Sequence, residues 1–227
     1  MTEQDRLVYQ HLSQFVSDHK KSFVERVLAV RTSHITVVLE NIYQSQNASA
    51  VIRTCECMGL QTIHIIEQSS KYEINRRVLK GADKWMDLHR YHTKQAENTA
   101  TCFDLLHKEN YKILVADPAE DGVSIHDIQV ADSKIALVFG NELRGISPYA
   151  AAHADARIKI PMFGFTESLN ISVSVAICLN TLITKLHSSE GSYFLTEEEK
   201  DELRLKWFRK IVRRSDLIER EFLKAIQ

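Results

Sequence analysis

Glycine is scarce in this sequence, with seven in 227 residues. None of them forms G-x-G-x-x-G or a P-loop, which excludes a Rossmann-type dinucleotide site and a Rossmann-type methyltransferase with its Gly-rich turn. The G-x-S-x-G elbow is missing too. Cysteine is equally sparse. Cys55, Cys57, Cys102 and Cys178 contain no C-x-x-C pair and the ten histidines are scattered, so the thiols read as reduced core residues and no metal is expected. The sequons Asn47-Ala-Ser and Asn170-Ile-Ser then read as unglycosylated. The N-terminus, MTEQDRLVYQ, lacks a basic region followed by an apolar one. No apolar run approaches the roughly 20 residues that span a bilayer. A cytoplasmic protein with no membrane partner is expected. Net charge is -1, so no global field attracts nucleic acid.

What is present is ordinary for a globular chain, with 44% hydrophobic and 26% charged residues, enough for one ample core with small appendages. Residues 5–30 carry two short helical patterns, Val8, Leu12 and Phe15, then Phe23, Val27 and Leu28. Apolar strand patterns follow at 35–40, 62–66, 112–116, 134–140 and 157–160. Between them lie helical patterns at 47–59, stopped by Gly59, at 95–109, and after Pro148. A long helix follows from about 168. Strands that are apolar throughout and alternate with helices predict an α/β fold, a parallel sheet with helices on both faces. The last segment, 196–225, reads as one amphipathic helix. Thr196 and Glu199 make a capping box, and Leu203, Trp207 and Ile211 recur at i, i+4.

Three stretches loaded with polar groups sit at predicted carboxyl ends of strands: "NIYQSQNASAVIR" (41–53), "FGNELRGIS" (139–147) and "FGFTESLNISVSVAICLN" (163–180). Ligands of open parallel sheets bind beyond those ends, so the three suggest one shared site. Taken singly, each has a structural alternative. Asn47 and Ser168 suit helix N-caps, Arg53 a solvated helix position, and Gly140-Asn141 a turn.

Together, "NIYQSQNASAVIRTCECMGL", "LVFGNELRGIS" and "IPMFGFTESLNISVSVA" resemble the three motifs of the SPOUT-class SpoU/TrmH family of RNA ribose 2′-O-methyltransferases, over roughly residues 35 to 186. "GADKWMDL" (81–88) resembles a segment of the family's tRNA-methylating branch. One departure is Ser45, where the family usually has Pro. The resemblance implies a C-terminal deep trefoil knot, S-adenosylmethionine bound in it, and a homodimer whose active site is completed across the interface. It implies donor contacts from Ala116, Gly140, Ile160 and Leu169. It assigns catalytic roles to Asn47, Arg53, Glu142, Ser168 and Asn170. Asn47 would position Arg53 or the ribose. Glu142 would accept hydrogen bonds from the arginine or the substrate, and Ser168 and Asn170 would order the loop.

A ribose hydroxyl is hardly ionised near neutrality, so the enzyme must align it and help remove its proton. By family analogy Arg53 does this, either as a base or as a phosphate clamp that orients the hydroxyl; a neutral guanidinium is costly. The expected division is 1–34 as an N-terminal helical extension, 35–187 as the methyltransferase domain and 188–227 as a C-terminal helical extension. The expected substrate is tRNA, at the D-loop guanosine. The alternative within the family is a methyltransferase of ribosomal RNA or of another tRNA site; only about 34 residues precede the first strand, too few for the separate RNA-binding domain that ribosomal-RNA members often carry. The other alternative is a non-catalytic RNA-binding knot. The run "KWFRKIVRR" (206–214) offers Lys206, Arg209, Lys210, Arg213 and Arg214 as an RNA-binding face; the alternative there is solvated cations around a packed Trp207.

Overall fold

The computed structural model describes residues 1–69, 71–73, 75–94, 97–118, 122–191 and 193–226. They form two compact units, Met1–Arg31 with Phe194–Gln227, and Thr32–Tyr193. The chain opens with α1 (Glu3–Ser13) and α2 (Asp18–Leu28). Thr2 and Asp5 close a capping box on α1, and Ser17 caps α2 by accepting from the Lys20 amide. The buried stripes, Val8 with Leu12 and Val24 with Leu28, follow the helical period.

The central unit runs β1 (Ile35–Glu40), α3 (Ser45–Cys57), β2 (Thr62–Ile66), α4 (Arg76–Leu79), β3 (Asp87–Tyr91), α5 (Asn98–Lys108), β4 (Tyr111–Ala116), β5 (Val123–Ser124), β6 (Lys134–Phe139), α6 (Pro148–His153), β7 (Ala156–Lys159) and α7 (Ile171–Ser188). The strands form one sheet in the order β3-β2-β1-β6-β4-β7-β5. Every described pairing is parallel. All of β1 is buried, because helices cover both faces. Val37, Leu39, Ile63 and Leu137 meet Val51 and Ile52 of α3 and Val175 and Leu179 of α7. The alternate residues Val38, Ile113, Val115 and Ala136 meet Phe103 and Leu106 of α5. Burying one such side chain stabilises by about 1.5–3 kcal/mol. Truncating Leu137 to Ala, in the middle strand, is expected to cost about 2–5 kcal/mol.

Several sequence expectations need correction. Helix α3 begins at Ser45, not Asn47, and its N-cap is Gln44 without a side-chain cap bond. Asn170, not Ser168, caps α7, accepting from the Ser172 amide. Strands β3 and β5 were not anticipated. β3 is a polar edge strand, half-exposed, and β5 has two residues, so neither makes an apolar run. Residues 95–96 of the expected helix 95–109 lie outside the described residues. Cys57 is exposed, whereas Cys55, Cys102 and Cys178 are buried. By length and composition α7 is apolar enough to cross a bilayer, although Val175, Cys178, Leu179 and Leu182 are fully buried in the core.

The last segment is not one helix. It forms α8 (Glu197–Ile211) and α9 (Ser215–Ala225). The chain turns at Val212–Arg214, with Arg214 left-handed at φ 55°, a costly conformation for a residue with a Cβ. Within this unit Trp207 and Phe208 are buried, and Arg204 forks onto Glu25 at 2.8 Å through both Nε and Nη2.

Candidate active site

Strand order reverses direction at β1 and β6, which are neighbours, and the carboxyl ends of β6, β4 and β7 open into a cavity of about 550 Å3. That size suits a small organic ligand, whose sites run to about 300–1,000 Å3. Its wall includes Ala116, Gly140, Ile160 and Leu169, the four positions expected to contact the donor. Asn47, Glu142, Ser168 and Asn170 line it as well. Arg53 does not. It is exposed on α3 and makes no hydrogen bond or ion pair among the described residues.

The polar side chains form a connected chain. Glu142 accepts at Oε2 from the Tyr43 amide (2.8 Å) and at Oε1 from the Gln44 amide (3.2 Å) and Asn47 Nδ2 (3.0 Å). A carboxylate only accepts, which turns the Asn47 amide nitrogen toward Glu142 and leaves its oxygen for Asn170. Asn170 Nδ2 donates to that oxygen at 3.2 Å. The Asn170 oxygen in turn accepts from the Ser172 amide (2.9 Å) and hydroxyl (2.6 Å). Three loops far apart in sequence are thus joined at the cavity wall. Of the partners expected for Glu142, the arginine or the substrate, Arg53 makes no bond to it within this chain, and Asn47 and two backbone amides do. Burial pushes the Glu142 carboxyl up, but bonds from Asn47 and the Tyr43 and Gln44 amides outweigh it and hold the pKa below its usual value.

The loop after β6 is built on close backbone approach. A Cβ on Gly140 would lie 2.3 Å from the Gly145 carbonyl oxygen, so only glycine fits. Asn141 and Gly145 exchange backbone bonds of 2.9 and 2.8 Å, and Gly145 turns the chain at φ 70°. Asn141 also accepts from the Leu143 and Arg144 amides and donates to the Asn41 carbonyl at 2.6 Å. Behind the loop lies Glu40, 1% exposed. It accepts from Thr99 Oγ1 (2.8 Å), the Ser147 amide (3.0 Å) and Ser147 Oγ (2.7 Å). Sequence reasoning missed Glu40 and Asn141 as supports. The available signal was a carboxylate ending an otherwise apolar strand, where a buried charge needs partners.

Cys178 also lines the cavity, and burial pushes its thiol up to about 12, too high for a thiolate nucleophile near neutral pH. Among the described residues no cluster of His, Cys, Asp and Glu could hold a metal. The tail cations lie in the other unit and are exposed. Arg209 is already forked onto Glu219 at 2.9 and 2.6 Å.

Known proteins are similar to this chain in sequence and in fold. The tRNA (guanosine(18)-2′-O)-methyltransferase of Borreliella burgdorferi is 41% identical over 208 residues, 92% of this chain and 93% of its own length. The crystal structure of the A. aeolicus TrmH/SpoU tRNA modifying enzyme superposes with a TM-score of 0.73 at 26% identity, covering 86% of this chain and 98% of that one. The SpoU methyltransferase AviRb from Streptomyces viridochromogenes, solved with the cofactor AdoMet, shares the fold at a TM-score of 0.61 and 17% identity, over 71% of this chain and 64% of its own. Residues 34–180, which hold β1, the three polar loops and most of α7, match the SpoU rRNA Methylase family, and with more than half of its length matched this chain belongs to that family.

Proposed function

We propose that this protein is an S-adenosylmethionine-dependent tRNA ribose 2′-O-methyltransferase that modifies the D-loop guanosine, position 18, in the cytoplasm. The observation that carries it is the Glu142–Asn47–Asn170 chain at the wall of a ligand-sized cavity. The residues present fit the donor. Ile158, Ile160 and Leu169 supply apolar wall, and Gly140, also on the wall, permits the close approach of the loop backbone at Gly145 and Ile146 that any Cβ would block. When bound, S-adenosylmethionine supplies a methyl group already activated by the sulfonium charge. Gly140, Ile160, Leu169 and Ala116 would hold it.

The chain's own groups have the other task, presenting a poor nucleophile in line. Asn47 and Asn170, with their amides fixed by Glu142 and Ser172, orient the ribose hydroxyl. Ser168, on the same wall, orders the loop. Arg53 completes the site from a second subunit. Its guanidinium clamps the neighbouring phosphate and orients the hydroxyl, because a deprotonated arginine is costly. A homodimer is supported by the apolar groups left exposed in the loops that carry the site, Phe163, Phe165 and Leu143. The stretch after β7 is proposed to be tied as a deep trefoil knot, and the domain to occupy about residues 35–187. In the tail, Lys206, Lys210, Arg213 and Arg214 contact tRNA phosphates, while Arg209 is committed to Glu219. No metal takes part.

The test is methyl transfer from labelled donor to a tRNA transcript, followed by mapping of 2′-O-methyl positions. A label at guanosine 18, lost when that residue carries a 2′-deoxyribose, is expected. No transfer to any tRNA under conditions where the donor binds would overturn the proposal.

A further inference from the structure

Beside the active-site cavity lies a second groove of about 450 Å3, lined by Ser45, Glu73, Asn75, Arg76 and Arg77. The local structure holds it open. Asn75 caps α4, its side-chain oxygen accepting from the Val78 amide at 3.3 Å. The Asn75 amide donates to Ser49 Oγ on α3 at 3.1 Å. Helix α4 is therefore pinned to the same helix that carries Asn47, and Ser45 lies two positions before Asn47 at the start of α3.

Several arginines of the chain are committed to carboxylates. Arg90 is forked onto Glu67, Arg204 onto Glu25, and Arg209 onto Glu219. Arg76 and Arg77 are exposed and make no side-chain hydrogen bond or ion pair among the described residues, with Glu73 in the same groove. Two adjacent guanidiniums with open forks and a serine hydroxyl line the groove beside the single carboxylate of Glu73. The group that matches them is a phosphodiester, which guanidinium forks bind bidentately. The first turn of α3 joins the two sites, since Gln44 and Asn47 line the cavity and Ser45 lines the groove.

We propose that Arg76, Arg77 and Ser45 form a phosphate subsite for the RNA strand that flanks the methylated nucleotide. This rests on the tRNA methyltransferase function proposed above and adds where the backbone of that substrate lies. Contacts of this kind set register and carry no sequence information. Their loss weakens binding for all substrates alike.

The experiment measures tRNA binding across salt concentrations for the wild type, Arg76→Gln, Arg77→Gln and the double variant, with donor affinity by calorimetry in parallel. Glutamine keeps most of the side-chain stem and removes the charge. Each single substitution is expected to reduce the slope of log affinity against log salt by about 0.7 to 0.9. Between about 50 and 200 mM salt, the wild type should then lose about threefold more affinity than each single variant. The double variant should show both effects, with the KM for tRNA raised and donor affinity unchanged. Affinity and slope equal to wild type in both single variants, with donor binding intact, would overturn the subsite while leaving the function standing. A wild type that binds donor but neither binds nor methylates tRNA overturns the function and the subsite together.

Discussion

At Glu142 both carboxylate oxygens are filled by donors from the first polar loop, and its pKa lies below the usual value. A depressed carboxyl stabilises the fold fully above its unfolded pKa, about 4.3. That contribution disappears as pH falls through the lower folded value. Glu142→Gln turns an amide NH2 toward groups that also donate, and is expected to cost about 1–3 kcal/mol near neutral pH. The cost should shrink below about pH 4.3, where the wild type is losing the same term. Urea melts of both proteins from acid to neutral pH check this, and a difference that does not change with pH would contradict it. Asn47→Ala cuts the chain in the middle, and a misplaced hydroxyl should slow transfer about 10²-fold. Arg53→Ala should lower the rate by about 10²- to 10⁴-fold yet leave donor affinity near wild type, because the contact proposed for it is with a substrate phosphate and not with the donor. Turnover and calorimetry on the same preparation separate the two effects.

Among elements, the loop 140–145 has the least tolerance. Gly140→Ala would put a methyl group against backbone atoms of Gly145 and Ile146, which no side-chain rotation relieves. A loss of about 1–3 kcal/mol is expected in thermal melts, with donor binding lost as the floor of the cavity shifts. The elements legible in the sequence were those with unbroken apolar runs, such as β1, β4 and β6, whose burial on both faces leaves no polar interruption. β3 escaped notice because an edge strand with Asp87, His89 and Arg90 shows no such run. The break between α8 and α9 escaped because neither Gly nor Pro marks it, and the turn falls on Arg214. At the site, motif resemblance brought out Asn47, Glu142 and Asn170, but not that they bond to one another, because pairing across such distances in sequence depends on the order of strands. The break also divides the basic run. Arg213→Ala is expected to reduce the salt slope of tRNA binding by about 0.7 to 0.9. Arg209→Ala, whose fork is taken by Glu219, should leave it unchanged. Neither should alter the nucleotide methylated.

For the molecule as a whole, Arg53 stands outside the cavity of its own chain while Phe163 and Phe165 remain almost wholly exposed. Both observations fit a dimer in which each subunit supplies Arg53 to the other. Sedimentation should show a dimer at assay concentrations, and an active monomer would refute it. Mixing Arg53→Ala with Asn170→Ala subunits gives a sharper result. If the two residues act in one shared site, heterodimers regain one working site and activity rises well above that of either variant alone. No recovery would place both residues in one subunit's site.

The order of strands in the sheet also governs how the chain is made. β1 is complete at residue 40, but β6, its neighbour on one side, begins only at Lys134. During synthesis, which releases the N-terminal part first, the edge of "ITVVLE" therefore waits without a partner through most of the central unit. An apolar strand with an open edge templates association between chains. Nascent chains that stop short of residue 134 should aggregate or be held by chaperones, and refolding from denaturant should be slow, as expected where sheet pairing is distant in sequence. The strand that closes the sheet's middle is one of the last to be made, so cellular yield should depend on how quickly translation reaches it.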